Sequence, residues 1–161
     1  MKTFTLTPEN KEKFEKLSKR YPKIDSMMLP TLWLVQEQEG WISPEAMIAV
    51  AELLSTTPIR VYEVVTFYTM YNTKPIGTHH IEVCKTTSCM LCGSKEIISY
   101  LEETLDIKPG ETSKDGQFTL SVVECLGSCG GAPMLAFNGD YVENLTIEKV
   151  KTLLEESSDD N

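Results

Sequence analysis

Two short stretches constrain this chain more than anything else in it. Val83-Cys84-Lys85-Thr86-Thr87-Ser88-Cys89 sets two cysteines in a C-x4-C pair, and Glu124-Cys125-Leu126-Gly127-Ser128-Cys129-Gly130-Gly131-Ala132-Pro133 sets two more in a C-x3-C pair. Each pair follows a run of alternating apolar residues that reads as a strand, so four thiols arrive on two loops. Thiolates are soft ligands that select zinc, copper(I) or iron-sulfur clusters. Four of them satisfy the all-cysteine ligation of a [2Fe-2S] or [4Fe-4S] cluster. Gly127, Gly130 and Gly131 fit such a loop, because glycine permits positive φ and lets backbone N–H groups approach sulfur closely.

The cysteines admit rival readings. Structural zinc sites tolerate both spacings, although zinc does not call for so many glycines and apolar neighbours (Leu126, Ala132, Pro133, Met134). A buried cluster does, since burial and N–H donation to its sulfurs tune it. Cys89-Met90-Leu91-Cys92 is also a C-x2-C at a strand-to-helix turn, the spacing of a cytosolic, thioredoxin-like dithiol oxidoreductase. Within the cluster reading, Cys84, Cys89 and Cys92 with Cys125 follow the C-x4-C-x2-C spacing of plant-type ferredoxins. Spacing alone therefore leaves Cys92 and Cys129 as competing fourth ligands.

Composition narrows the setting. No apolar run approaches the ~20 residues needed to cross a bilayer, and Met1 to Pro8 lacks the apolar core of a signal peptide. The expectation is a cytoplasmic chain with no membrane insertion, in which five cysteines serve metal or redox chemistry rather than disulfides. The net charge of -9 is placed unevenly: residues 1–75 hold nine Lys/Arg and nine Asp/Glu, whereas residues 76–161 hold six and fifteen. An acidic cysteine-bearing half would repel nucleic acid, so a protein partner is expected. The end, Glu155 to Asn161, reads as a frayed, solvated tail.

Along the chain, Thr7-Pro8-Glu9 is a helix start, followed by an apolar stripe of Phe14, Leu17 and Tyr21. A second helix is expected from Asp25 or Ser26 to Gln38, with Met28, Leu32 and Val35 on one face and Gly40 at its end. Ser43-Pro44-Glu45 opens a third, apolar almost all round through Met47, Ile48, Val50, Ala51 and Leu54. Thr57-Pro58 opens a fourth carrying Val61, Val64, Val65 and Tyr68. These make an N-terminal four-helix bundle over residues 1–75, ending near Asn72. After the linker Thr73 to Gly77 come a strand from His79 to Val83, a helix from Gly93 or Ser94 to Leu105, strands Phe118 to Val123 and Met134 to Phe137, an Asn138-Gly139 hairpin into Tyr141-Val142, and a last helix capped by Thr146. The predicted class is α+β, with residues 76–161 in the order β-α-β-β-β-α of a thioredoxin-like sheet.

Other residues read more plainly. His79 and His80, adjacent on a strand, point to opposite faces and so are poor paired ligands. Trp33 and Trp41 are expected to be core or interface aromatics, and Glu63 and Glu124 satisfied surface carboxylates.

Three motifs in register carry a resemblance over nearly the whole chain. They are Val61 to Tyr71 (VYEVVTFYTMY), Cys84 to Leu91 with Gly93-Ser94, and Cys125 to Pro133. Together they resemble the family of small thioredoxin-like [2Fe-2S] subunits, of the E-subunit type, of NADH:quinone oxidoreductase, respiratory complex I. The resemblance implies a [2Fe-2S] cluster held by Cys84, Cys89, Cys125 and Cys129, with Cys92 left over where many relatives have a polar residue. It also implies a partner, the larger subunit that binds FMN and NADH, against which the N-terminal helices and the cluster face would pack. Single electrons would pass between cluster and flavin, in a peripheral arm attached to the cytoplasmic membrane through partner subunits. Related subunits serve NAD-linked hydrogenases and formate dehydrogenases. By this reading the chain is part of an enzyme but carries no complete active site.

Overall fold

A computed structural model describes residues 4–159; Met1, Lys2 and Thr3, and at the other end the last two residues of the acidic tail, lie outside the described residues. The chain divides into two compact units, Met1–Pro75 and Ile76–Asn161.

In the first unit the capping chemistry places the helices. Thr7 caps α1 (Pro8–Ser18), its Oγ1 accepting the Asn10 N–H at 3.3 Å, and Ser43 caps α3 (Pro44–Leu53) by accepting the Ala46 N–H at 3.1 Å. Proline stands at the first turn of both helices and of α4 (Pro58–Phe67), where its missing N–H costs no bond. α2 (Met28–Glu39) starts later than the sequence predicts, because Ile24–Met27 first wind into a tighter 3-10 turn of the kind common at helix starts. It ends at Gly40, whose φ of 77° is the left-handed C-cap geometry. The predicted stripe on α1 is shortened: Phe14 and Leu17 pack on the core, but Tyr21 lies past the helix and is exposed. Tyr21 precedes Pro22, and a residue before proline is disfavoured in helical conformation.

Met27, Leu32, Val35, Ile42, Leu54 and Val61 are fully buried in this unit. Each contributes roughly 1.5–3 kcal/mol relative to exposure. α3 turns Ala46, Met47, Val50 and Ala51 inward and leaves Ile48 and Leu53 exposed. Tyr71 closes the unit, its hydroxyl donating to the Leu29 carbonyl at 3.0 Å.

The second unit is a five-stranded sheet in the order β2-β3-β1-β4-β5, formed by β1 (His79–Cys84), β2 (Glu111–Thr112), β3 (Phe118–Val123), β4 (Leu135–Phe137) and β5 (Asp140–Val142). β1 and β3 run parallel, with Cys84 opposite Val123; the other pairings are antiparallel. Ile81, Val83, Leu120 and Leu135 form a core with Ile97 and Leu101 of the helix Ser94–Leu105 and with Val150 and Leu154 of the helix Ile147–Asp159. Asn138 and Gly139 both take positive φ, 51° and 90°, which matches the right-handed twist of a tight hairpin.

The predicted order β-α-β-β-β-α lacks two elements. A five-residue helix, Thr87–Leu91, precedes the longer one, so the helices are α5 (Thr87–Leu91), α6 (Ser94–Leu105) and α7 (Ile147–Asp159), and the two-residue β2 adds an edge strand. Both are too short to leave a periodicity in the sequence. The acidic end is corrected as well: α7 continues through Asp159, with the Ser157 hydroxyl donating to the Leu153 carbonyl at 2.6 Å. No described helix is long and apolar enough to cross a membrane.

Candidate metal centre

Parallel pairing of β1 and β3 brings the two cysteine stretches to one edge of the sheet. Neighbouring parallel strands end on the same side, and open α/β sheets place their sites at such carboxyl ends. Cys84 is the last residue of β1, and the second loop leaves β3 after Val123. The Lys85 N–H bonds the Val123 carbonyl at 3.0 Å, and the Cys84 N–H bonds the Met134 carbonyl at 3.2 Å where the second loop returns to the sheet. Cys89 sits inside α5, whose turn carries it back towards Cys84.

The sulfurs form two couples. Cys84 and Cys89 are buried with Met134 in a small apolar cluster flanked by Leu126 and Ala132, apart from the main core. Each of these two thiols acts on the other's ionisation. Cys125 and Cys129 are exposed, with Sγ atoms 3.6 Å apart. Cys92 is exposed at the C-cap of α5, with its N–H on the Ser88 carbonyl. His79 and His80 are used elsewhere: the His79 ring packs against Phe118 and Phe137, and His80 Nε2 lies 2.7 Å from Ser121 Oγ. Trp33 packs on Tyr71, Glu63 pairs with Arg60, and Glu124 pairs with Lys85 at 3.1 Å.

Hydrogen-bond donors surround the sulfurs. The Thr86 hydroxyl lies 3.3 Å from Cys84 Sγ and also reaches Cys125, while the Leu126 N–H crosses from the other loop to Cys84. Met134 N–H reaches Cys89, Ser88 reaches Cys129, and Gly127 N–H reaches Cys125 Sγ at 3.4 Å. The direction of shift and its cause differ from sulfur to sulfur. Burial pushes the Cys84 thiol up, but Thr86, Cys89 and Leu126 together outweigh it and the net shift is down; Cys125 is lowered by Gly127 and then by Cys129. Cys89 is raised by burial and by Cys84, and Cys129 by Cys125.

A family model described as thioredoxin-like [2Fe-2S] ferredoxin matches residues 14–158. The chain belongs to that family. It is 45% identical over 160 residues to the NADH-quinone oxidoreductase E subunit of Rickettsia felis, covering 98% of this chain and 96% of that one. It is 43% identical to the corresponding E 2 subunit of Rhizobium meliloti over 90% of this chain and 86% of that one. It is 46% identical to the mitochondrial NADH dehydrogenase [ubiquinone] flavoprotein 2 of Dictyostelium discoideum over 95% and 63%. In fold it matches a chain of an NAD+-reducing [NiFe]-hydrogenase in the H2-reduced state with a TM-score of 0.74 and 18% identity, covering 84% of this chain and only 22% of that one.

The cofactor of this thioredoxin-like ferredoxin is a [2Fe-2S] cluster, and the donor set fits it. Among the described residues no three ligating side chains close on one point. The sulfurs stand instead as couples, and a dinuclear cluster takes its thiolates two to each iron. Two thiolates about 2.3 Å from one tetrahedral metal stand roughly 3.8 Å apart, close to the Cys125–Cys129 separation of 3.6 Å. Sequence reasoning missed the residues that hold the second loop. Tyr141 donates its hydroxyl to the Leu126 carbonyl at 2.6 Å, and the Ser128 hydroxyl donates to the Glu143 carboxylate. Asn144 and Leu145 N–H groups bond the carbonyls of Gly131 and Pro133 at 2.7 and 2.9 Å. These residues follow Cys129 by more than ten positions, across a hairpin, and no spacing rule links them to it.

Proposed function

We propose that this chain is the small electron-transfer subunit of an NADH:quinone oxidoreductase, with Cys84, Cys89, Cys125 and Cys129 as cluster ligands and a subunit that binds FMN and NADH as its partner. The observation that carries the reading is the near full-length likeness, at 43–46% identity, to subunits so named. The hydrogenase likeness, at 18% identity, supports the fold alone.

When bound, the cluster supplies one-electron exchange with the partner's flavin. The chain's own residues do the rest. Met134, Leu126 and Ala132 exclude water beside Cys84 and Cys89, and the N–H and hydroxyl donors of both loops stabilise negative charge on sulfur. Lys85 and Glu124 neutralise each other at the loop bases.

Exposed apolar residues support an obligate partner. Beside the cysteine turn Leu91 is 77% exposed and Met90 44%. On α4, Ile59, Tyr62 and Phe67 are 63%, 52% and 77% exposed, and α4 belongs to the N-terminal four-helix bundle that would dock on the flavin subunit. Such a surface favours a stable, largely non-polar interface over salt-sensitive, charge-steered docking. The whole would sit in a peripheral arm tied to the cytoplasmic membrane by other subunits. The test is co-expression with the NADH-binding subunit and gel filtration at high ionic strength. Co-elution is expected; a chain that elutes alone, monodisperse and reducible by diffusing donors would make it a free shuttle instead.

A further inference from the structure

We propose that Glu143 is a positioning residue for the cluster: its carboxylate clamps the second cysteine loop in the shape that presents Cys129. The proposal rests on the ligand reading above and goes beyond it, since no motif marks this glutamate. Glu143 follows β5 in an exposed position, yet its side chain lies over the buried Gly131. A Cβ added at Gly131 would meet Glu143 Cδ at 2.5 Å, Oε2 at 2.7 Å and Cβ at 2.8 Å. The absent side chain at Gly131 is thus the space that Glu143 fills. From there the carboxylate accepts the hydroxyl of Ser128, the residue before Cys129. The backbone of Glu143 is itself fixed: Lys149 Nζ donates to its carbonyl at 3.3 Å, and the next N–H, of Asn144, bonds the Gly131 carbonyl. One exposed side chain therefore joins the 3-10 turn Cys129–Gly131 to the end of the sheet.

A charge-assisted hydrogen bond beside a ligand should govern how readily the ligand lets go. In anaerobically purified, cluster-loaded chain, the visible absorption should bleach under an iron chelator about tenfold faster in Glu143→Ala, the worth of one hydrogen bond to a charged group. Glu143→Gln keeps an acceptor of the same shape without the charge and should bleach at a rate between those of the native chain and Glu143→Ala. Ser128→Ala should match Glu143→Ala, and the double variant should be no worse than either, because both remove one interaction. The cluster-free chain gives an independent readout: amide exchange should quicken across residues 125–133 in Glu143→Ala while its thermal midpoint stays put. Additive losses in the double variant, or a Glu143→Ala chain that bleaches like the native one, overturn the clamp. A native chain without iron and sulfide would instead overturn the ligand reading on which the clamp depends.

Discussion

Cysteine sulfur makes a weak anion when buried alone, and hydrogen bonds make it a ready one. Cys84 and Cys125 hold donors from both loops and are lowered, whereas Cys89 is raised by burial and by Cys84, and Cys129 by Cys125. Serine offers a harder oxygen that a soft site binds poorly. Replacing any of these four cysteines by serine should therefore bleach the visible spectrum of the purified chain, while Cys92→Ser keeps it. An unchanged spectrum in Cys129→Ser with bleaching in Cys92→Ser would move the ligand set to the plant-type spacing. His80 carries a different prediction. Burial holds its imidazole below the ordinary 6.5, with Glu82 opposing. The folded pKa lies below the unfolded one, so the unfolded chain takes up the proton first. This contribution is therefore present above pH 6.5 and is lost as pH falls from there through the folded value. Thermal unfolding between pH 7 and 5 should show a shallower loss in His80→Gln than in the native chain.

Elements built on capping and long periodicity were legible in the sequence, and those set by tertiary contact were not. Thr7, Ser43 and Thr146 cap the helices as their side chains suggest, the last by accepting the Lys149 N–H at 3.2 Å. β1 and β3 follow their apolar alternation. The sequence also places both cysteine stretches after strands, but only the parallel β1–β3 pairing makes those loops neighbours, and strand order leaves no trace in local pattern. α5 and β2 are too short to read, and the Tyr141 and Glu143 contacts depend on a hairpin folding back. The approach to β1 shows how tightly the sheet sets its entrance. Gly77 donates its N–H to Thr119 Oγ1 at 2.7 Å, and a Cβ there would lie 2.7 Å from the Gln117 carbonyl oxygen. Backbone cannot yield as a side chain can, so Gly77→Ala should lower stability by about 1–3 kcal/mol, read from the urea midpoint at unchanged slope. Leu101→Ala, which empties a fully buried site under the sheet, should cost about 2–5 kcal/mol.

At the scale of the molecule, the chain separates work between its units. Residues 76–161 carry all five cysteines and the surplus acid, while residues 1–75 are neutral by count and hold much of the exposed apolar surface. An acidic ferredoxin that also exposes Phe67, Tyr62 and Ile59 is suited to remain in a complex rather than shuttle between partners. Everything in that account depends on what the two sulfur couples hold. Iron, zinc and acid-labile sulfide in the anaerobically purified chain measure it directly. Two irons and two sulfides per chain are expected of a [2Fe-2S] centre, falling together in each of the four cysteine variants. Stoichiometric zinc, or a metal-free chain that reduces disulfides, would contradict it.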